Sequence, residues 1–203
     1  MNAIDARSAR RPTWLEAALP LQGVLPSAIA IVAGSLAVAA MAQLRVLLPF
    51  SPVPVTGQTL AVLLVGTALG PWRGGLSLGL YLAEGAVGLP VFAGGTAGLA
   101  TLTGPTGGYL IGFVVAAVLA GHFAQRGWDR RWLGAATAMV LGNVVIYALG
   151  VAWLTRFVGW PGAWLQGVAP FLAGDAIKVA LATGLLPSAW ALLDRLRLPS
   201  DRG

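Results

Sequence analysis

Pro26-Ser27-Ala28-Ile29-Ala30-Ile31-Val32-Ala33-Gly34-Ser35-Leu36-Ala37-Val38-Ala39-Ala40-Met41-Ala42-Gln43-Leu44 contains no charged residue, and the first to follow it is Arg45. A helix gains about 1.5 Å per residue, so this stretch is long enough to cross the roughly 30 Å hydrocarbon core of a bilayer. Working outward from it, further apolar stretches predict six spans, at 26–47, 58–69, 75–87, 106–123, 132–154 and 170–193. The second and third are short, which predicts tilted or incomplete crossings. A partly amphipathic piece over 14–19 is expected to lie at the interface.

Composition leads to the same class. Of 203 residues, 57% are hydrophobic and 10% charged, well outside the balance of a soluble fold. The formal charge of +6 does not indicate nucleic acid, because the basic residues form no single soluble patch with stacking aromatics. Arg7, Arg10, Arg11, Arg73, Arg126, Arg130, Arg131, Arg195, Arg197 and Arg202 instead fall in segments that share one side if the helices alternate. The positive-inside rule makes that side cytoplasmic. The expectation is an all-α, polytopic protein of the cell membrane, with one transmembrane domain over 1–203 and cytoplasmic ends at 1–23 and 194–203. Trp14, Trp72, Trp128, Trp132 and Trp190 fall near inner ends, and Trp153, Trp160 and Trp164 near outer ends, as interfacial belts require. With no cysteine, disulfides and thiolate sites are excluded.

Three breaks interrupt the apolar pattern. Pro49-Phe50-Ser51-Pro52-Val53-Pro54 removes amide donors and fixes φ, which predicts a rigid outer loop. Gly70-Pro71-Trp72-Arg73-Gly74 predicts an inner turn. From Gly88 to Pro105 glycine and proline are too dense for a lipid-facing helix, and irregular backbone at membrane depth needs protein or water to cover it. This segment is expected to line a cavity.

Few side chains offer chemistry. Asp175 and Lys178, the one lysine of the chain, lie three apart on one helical face near an outer end. Burying either charge alone costs on the order of 3 kcal/mol, so two readings stand: a snorkelling ion pair or a ligand site. Glu84 either faces the same cavity, pairs with Arg45 or Arg156, or is solvated at the headgroups. Arg45 is read as an interfacial anchor. Gly104-Pro105-Thr106-Gly107-Gly108-Tyr109 reads as a helix entry whose amides either meet a ligand oxygen or serve a packed turn. Phe92, Tyr81 and Tyr109 are candidate pocket walls. Asn143 is assigned to helix packing, and His122 has no companion ligand, so no metal site is expected. No glycine run leads into Lys-Ser or Lys-Thr, which excludes a phosphate-binding loop of that kind. Without a nucleophile-base pair or metal cluster, an enzyme is not expected.

Five segments taken in order carry a resemblance: Ala42-Gln43-Leu44-Arg45; Pro52-Val53-Pro54-Val55-Thr56-Gly57-Gln58-Thr59; Gly88-Leu89-Pro90-Val91-Phe92-Ala93-Gly94-Gly95; Gly104-Pro105-Thr106-Gly107-Gly108-Tyr109; and Gly174-Asp175 with Lys178. Together they resemble the BioY family, the biotin-binding substrate components (S components) of energy-coupling-factor (ECF) transporters. The resemblance implies a six-helix S-component bundle that takes up biotin from the outside, its cavity closed by the first long loop and the loop between the third and fourth spans. It implies partners too: a transmembrane coupling protein and a pair of cytoplasmic ATPases, so that ATP is used only by the partners and the chain itself needs no cofactor. Asp175 and Lys178 map onto the family's ligand contacts. Gln58, Tyr81, Glu84, Phe92, Gly94, Gly95, Thr96, Gly107 and Tyr109 complete the expected substrate site, with Thr96 or Ala97 near the position where the family's loop supplies an asparagine. Small residues on the first helix, Ala33 with Ala37 or Ser35 with Ala39, are the expected docking pairs for the coupling protein. The alternative is a substrate component for another vitamin, or a solitary carrier.

Overall fold

The computed structural model describes residues 10–197; the expected cytoplasmic residues 1–9 and 198–203, with Arg7 and Arg202, lie outside it. The elements run α1 (Trp14–Ala18), α2 (Val24–Gln43), β1 (Arg45–Val46), β2 (Val55–Thr56), α3 (Gln58–Ala86), α4 (Leu99–Thr103), α5 (Gly107–Gln125), a 3-10 turn (Trp128–Arg130), α6 (Trp132–Gly167) and α7 (Leu172–Arg197). Among the described residues four helices, α2, α5, α6 and α7, are long and apolar enough to cross a membrane. The all-α, multi-pass reading is therefore right.

The remaining two crossings are folded into α3. Gly70 has φ 83° and ψ 175°, outside helical space, and Pro71 follows it. Glycine reaches that φ without strain and proline has no amide to continue the ladder, so the chain turns back. The Gln58 side chain donates to Tyr81 Oη at 2.7 Å, although an unbroken helix would hold the two residues about 34 Å apart. The arms 58–69 and 71–86 are thus antiparallel, at roughly 18 and 24 Å each, shorter than the hydrocarbon core. Their shortness leaves the end of the bundle away from the Gly70 turn open for a cavity.

A second reversal closes α6. Gly159 has φ 70°, Pro161 follows two residues later, and a Cβ built on Gly167 would lie 2.7 Å from Leu154 Cδ2. Residues 161–167 therefore fold back along the end of the fifth span rather than leading straight to the sixth.

The core forms where α5 packs against α3 and α6, with Leu78, Tyr81, Ala116, Ala117 and Leu154 fully buried. Helix α7 is peripheral: 17% of its apolar window is buried, against 61% for α5. At the end of the bundle where α3 turns back, α1 is tied to that turn, and Arg73 Nη1 donates to Glu16 Oε1 at 2.8 Å. Trp190, expected in an interfacial belt, is instead buried, and its Nε1 donates to Asp129 Oδ2 at 2.6 Å.

Candidate functional site

A cavity of about 340 Å³ opens at the end of the bundle that carries the β1–β2 ribbon. Its walls come from the β1–β2 ribbon with Pro52, Val53 and Pro54, from the irregular stretch after α3, and from α5, α6 and α7. The ribbon is short, pairing Arg45 with Thr56 and Val46 with Val55. Ser51 Oγ donates to the carbonyl of Gln166 at 2.7 Å, which fixes the proline loop to the folded-back end of α6. The volume falls in the range of small-molecule sites, and the lining is mainly apolar with a few convergent polar groups.

The strongest polar group is built around Asp175, which is buried although it lies on the peripheral helix. Lys178 Nζ donates to Asp175 Oδ1 and to Thr59 Oγ1, both at 2.9 Å. Thr59 Oγ1 donates in turn to Asp175 Oδ1 at 3.3 Å, and Tyr147 Oη donates to Asp175 Oδ2. The i, i+3 spacing stacks Asp175 and Lys178 on one face of α7, and the start of the short arm 58–69 brings Thr59 to the same depth. Lys178, Thr59 and Tyr147 line the cavity.

The expected site residues separate into three groups. Gln58, Phe92, Thr96, Tyr109 and Lys178 line the cavity, and Asp175 stands directly behind it in contact with three of its lining residues. Tyr81 lies one layer back: it accepts from Gln58, donates to the Val91 carbonyl at 3.2 Å and meets the edge of Phe92 at 5.4 Å. Glu84, Gly95 and Gly107 are not among the lining residues. Glu84 accepts a hydrogen bond from Ser35 Oγ, and neither Arg45 nor Arg156 pairs with it. Gly107 is pressed against the Leu102 carbonyl, where a Cβ would lie 1.9 Å from the oxygen. Gly94 lies under Arg45 rather than on the cavity wall.

Three further placements bear on the expected residues. Ser35 is wholly buried and Ala39 nearly so, while Ala33 and Ala37 are exposed; two residues along a helix turn a side chain by about 200°, so only one of the two small pairs faces outward. Arg45 is no outward anchor, because it folds back and lines the cavity. Asn143 is buried beside Thr59 and Lys178, and its Oδ1 has no hydrogen-bond partner. Tyr147 and Thr59 were missed. Their signals were present: Tyr147 is one turn beyond Asn143, and Thr59 adjoins Gln58. Among the described residues no cluster of His, Cys, Asp or Glu suits a metal.

Compared with known families, residues 16–195 match the BioY family. The chain belongs to it. BioY relatives named as biotin transporters include a probable one from Pyrococcus horikoshii, 46% identical over 131 residues that cover 64% of this chain and 76% of the relative. Another, from Rhodobacter capsulatus, is 41% identical over 150 residues covering 66% and 76%. Among solved structures, the S-component for biotin from an ECF-type ABC transporter matches with a TM-score of 0.72 at 27% identity, covering 85% of this chain and 91% of that one. The bundle is therefore S-component-like, and the BioY relatives are transporters by name, in line with the expectation of a non-enzyme.

Proposed function

We propose that this chain captures biotin from the outer side of the membrane and carries it across as the substrate component of an ECF-type transporter. One observation carries the chemistry: the Asp175–Lys178 pole has spare hydrogen-bonding capacity beside the cavity. A carboxylate offers about four acceptor positions, of which Tyr147, Thr59 and Lys178 occupy three. An ammonium offers three donors, of which Thr59 and Asp175 take two. About one acceptor and one donor are left side by side. The ureido ring of biotin presents an N–H donor next to a carbonyl acceptor, the complement of that pair. Phe92, Phe113 and Ile146 give apolar wall for the thioether ring.

The rest of the proposal concerns topology and partners. Both termini are cytoplasmic in this reading, which makes 1–203 a single transmembrane domain with inner segments at 1–23 and 194–203, and the cavity opens outward. Ala33 and Ala37, exposed on α2, are the small pair that meets the coupling protein, and the paired ATPases supply the energy. Equilibrium binding of labelled biotin to the purified protein tests the core of the proposal. Saturable binding that unlabelled biotin displaces better than other vitamins is expected; displacement by another vitamin at lower concentration would reassign the substrate. A cysteine at position 131 should stay unreactive to an impermeant reagent added outside intact cells, and labelling there would invert the topology.

A further inference from the structure

Two cations line the cavity, and only one of them is balanced. Lys178 is paired with Asp175 at 2.9 Å, so that pole is close to neutral. Arg45 is the second cation, and among the described residues no carboxylate forms an ion pair with it. A cavity with one uncompensated positive charge favours a ligand carrying one negative charge.

The position of Arg45 is built rather than incidental. A Cβ placed on Gly94 would lie 1.9 Å from Arg45 Cζ and 2.0 Å from its Nη1, so the guanidinium occupies the space that any other side chain at 94 would fill. Gly94 also has φ 69°, which favours glycine a second time. The loop is further held to the end of α2, where Gln43 Nε2 donates to the Phe92 carbonyl at 3.3 Å. An arginine that merely anchored a helix would extend to the headgroups, whereas this one is drawn back across the cavity mouth. Its neighbours are Gly94 and the ribbon partner Thr56; those of Lys178 are Thr59 and Asp175. The two cations therefore serve different walls.

We infer that Arg45 is the carboxylate-recognising residue of the site and fixes the orientation of the ligand, acid group at the mouth and hydrogen-bonding ring against Asp175 and Lys178. Guanidinium suits the task, because its planar donor fork matches a carboxylate bidentately and keeps its charge at every physiological pH. This assignment rests on the biotin reading above, and the acid group is what it adds. Arg45 is exposed, so solvent screening limits the gain to about tenfold in affinity at most.

The test compares biotin with its primary amide, which keeps shape and hydrogen bonding but carries no charge. Unaltered protein should bind the acid about tenfold more tightly than the amide. Arg45→Gln should bind the two alike, by weakening the acid and sparing the amide, and Arg45→Lys should restore part of the preference. Because the readout is a ratio within one variant, the fraction of folded protein cancels. An acid preference that survives Arg45→Gln overturns the assignment while leaving biotin as substrate. If the preference disappears in Lys178→Met instead, the ligand sits in the opposite orientation. Failure of unaltered protein to bind biotin at all removes the functional reading itself, and this inference with it.

Discussion

Two carboxylates are buried at opposite ends of α7, and they are treated differently. Asp175, near the cavity end, receives Tyr147, Thr59 and Lys178, and the lysine balances its charge. Asp129, on the 3-10 turn at the far end, receives the Trp190 indole on Oδ2, while Oδ1 has no partner among the described residues. The nearby guanidinium of Arg130 lies 3.8 Å above the Trp190 ring. The carboxylate with more donors is the one beside the cavity, and the less satisfied one closes a packing contact. Burial of a charge therefore does not by itself mark a ligand site. An adjoining cavity together with unused donor and acceptor capacity does.

The largest effect expected from this contrast is at Asp175. Asp175→Asn keeps the shape but leaves Lys178 without a counter-charge, which should cost about 3 kcal/mol in stability. It should also weaken biotin binding by about tenfold or more. Thermal unfolding in detergent and calorimetric titration check the two parts. Unchanged affinity would mean that the pair is structural, like its counterpart at the far end of α7.

Trp190→Phe probes that counterpart. It retains an aromatic ring under Arg130 and removes the one donor to Asp129, so a loss of about 1–2 kcal/mol in stability is expected. Trp190 is roughly 18 Å along α7 from Lys178, and effects at such separations are nearly independent. Biotin affinity should therefore stay within about twofold. A larger change would show that the two ends of α7 are coupled. Tyr147→Phe removes one neutral donor from Asp175, the same kind of loss that Trp190→Phe inflicts on Asp129. Because Asp175 keeps two other donors, the cost should be smaller, about 1 kcal/mol in stability with a few-fold loss in affinity. Equal costs at the two ends would remove the distinction between them.

What the sequence disclosed follows the range of the interactions. Asp175 and Lys178 are three residues apart, and helical spacing alone places them together. The turn at Gly70-Pro71 is local too, as is the irregular backbone before Pro105. Contacts between distant segments stayed hidden. Arg45 meets Gly94 across 49 residues, and without that contact an arginine ending an apolar span looks like an anchor. Glu84 meets Ser35 over the same separation, which explains why a lone acid in a span resembled a ligand. The pairs Ala33–Ala37 and Ser35–Ala39 have identical spacing, and only the packing of α2 against α3 decides which faces outward. Tyr147 was obscured because a tyrosine within an apolar span is ordinarily packing.

The smallest expected effect is a pH dependence at Asp129, and it tests whether the carboxylate away from the cavity is disfavoured as a charge. Burial pushes its pKa up; the Trp190 N–H and the positive charges of Arg130 and Arg11 pull the other way without cancelling that push. The folded protein then holds the proton more tightly than the unfolded chain, so the ionised group detracts from stability above its folded pKa. That cost is relieved as pH falls through the folded value toward the ordinary one. Asp129→Asn removes the titration while leaving an amide oxygen to accept from Trp190. Glu16 also titrates in acid. Burial acts upward on it, yet the Thr13 amide, Arg73 and Arg10 bring it below its ordinary value, and since it is present in both proteins its contribution cancels. The stability of Asp129→Asn relative to the unaltered protein should therefore decline as pH is lowered from 7 toward 4. Melting temperatures in matched buffers measure this difference. A difference that stays flat would mean that Asp129 is as well accommodated in its ionised form as Asp175, and the two ends of α7 would then differ only in what lies beside them.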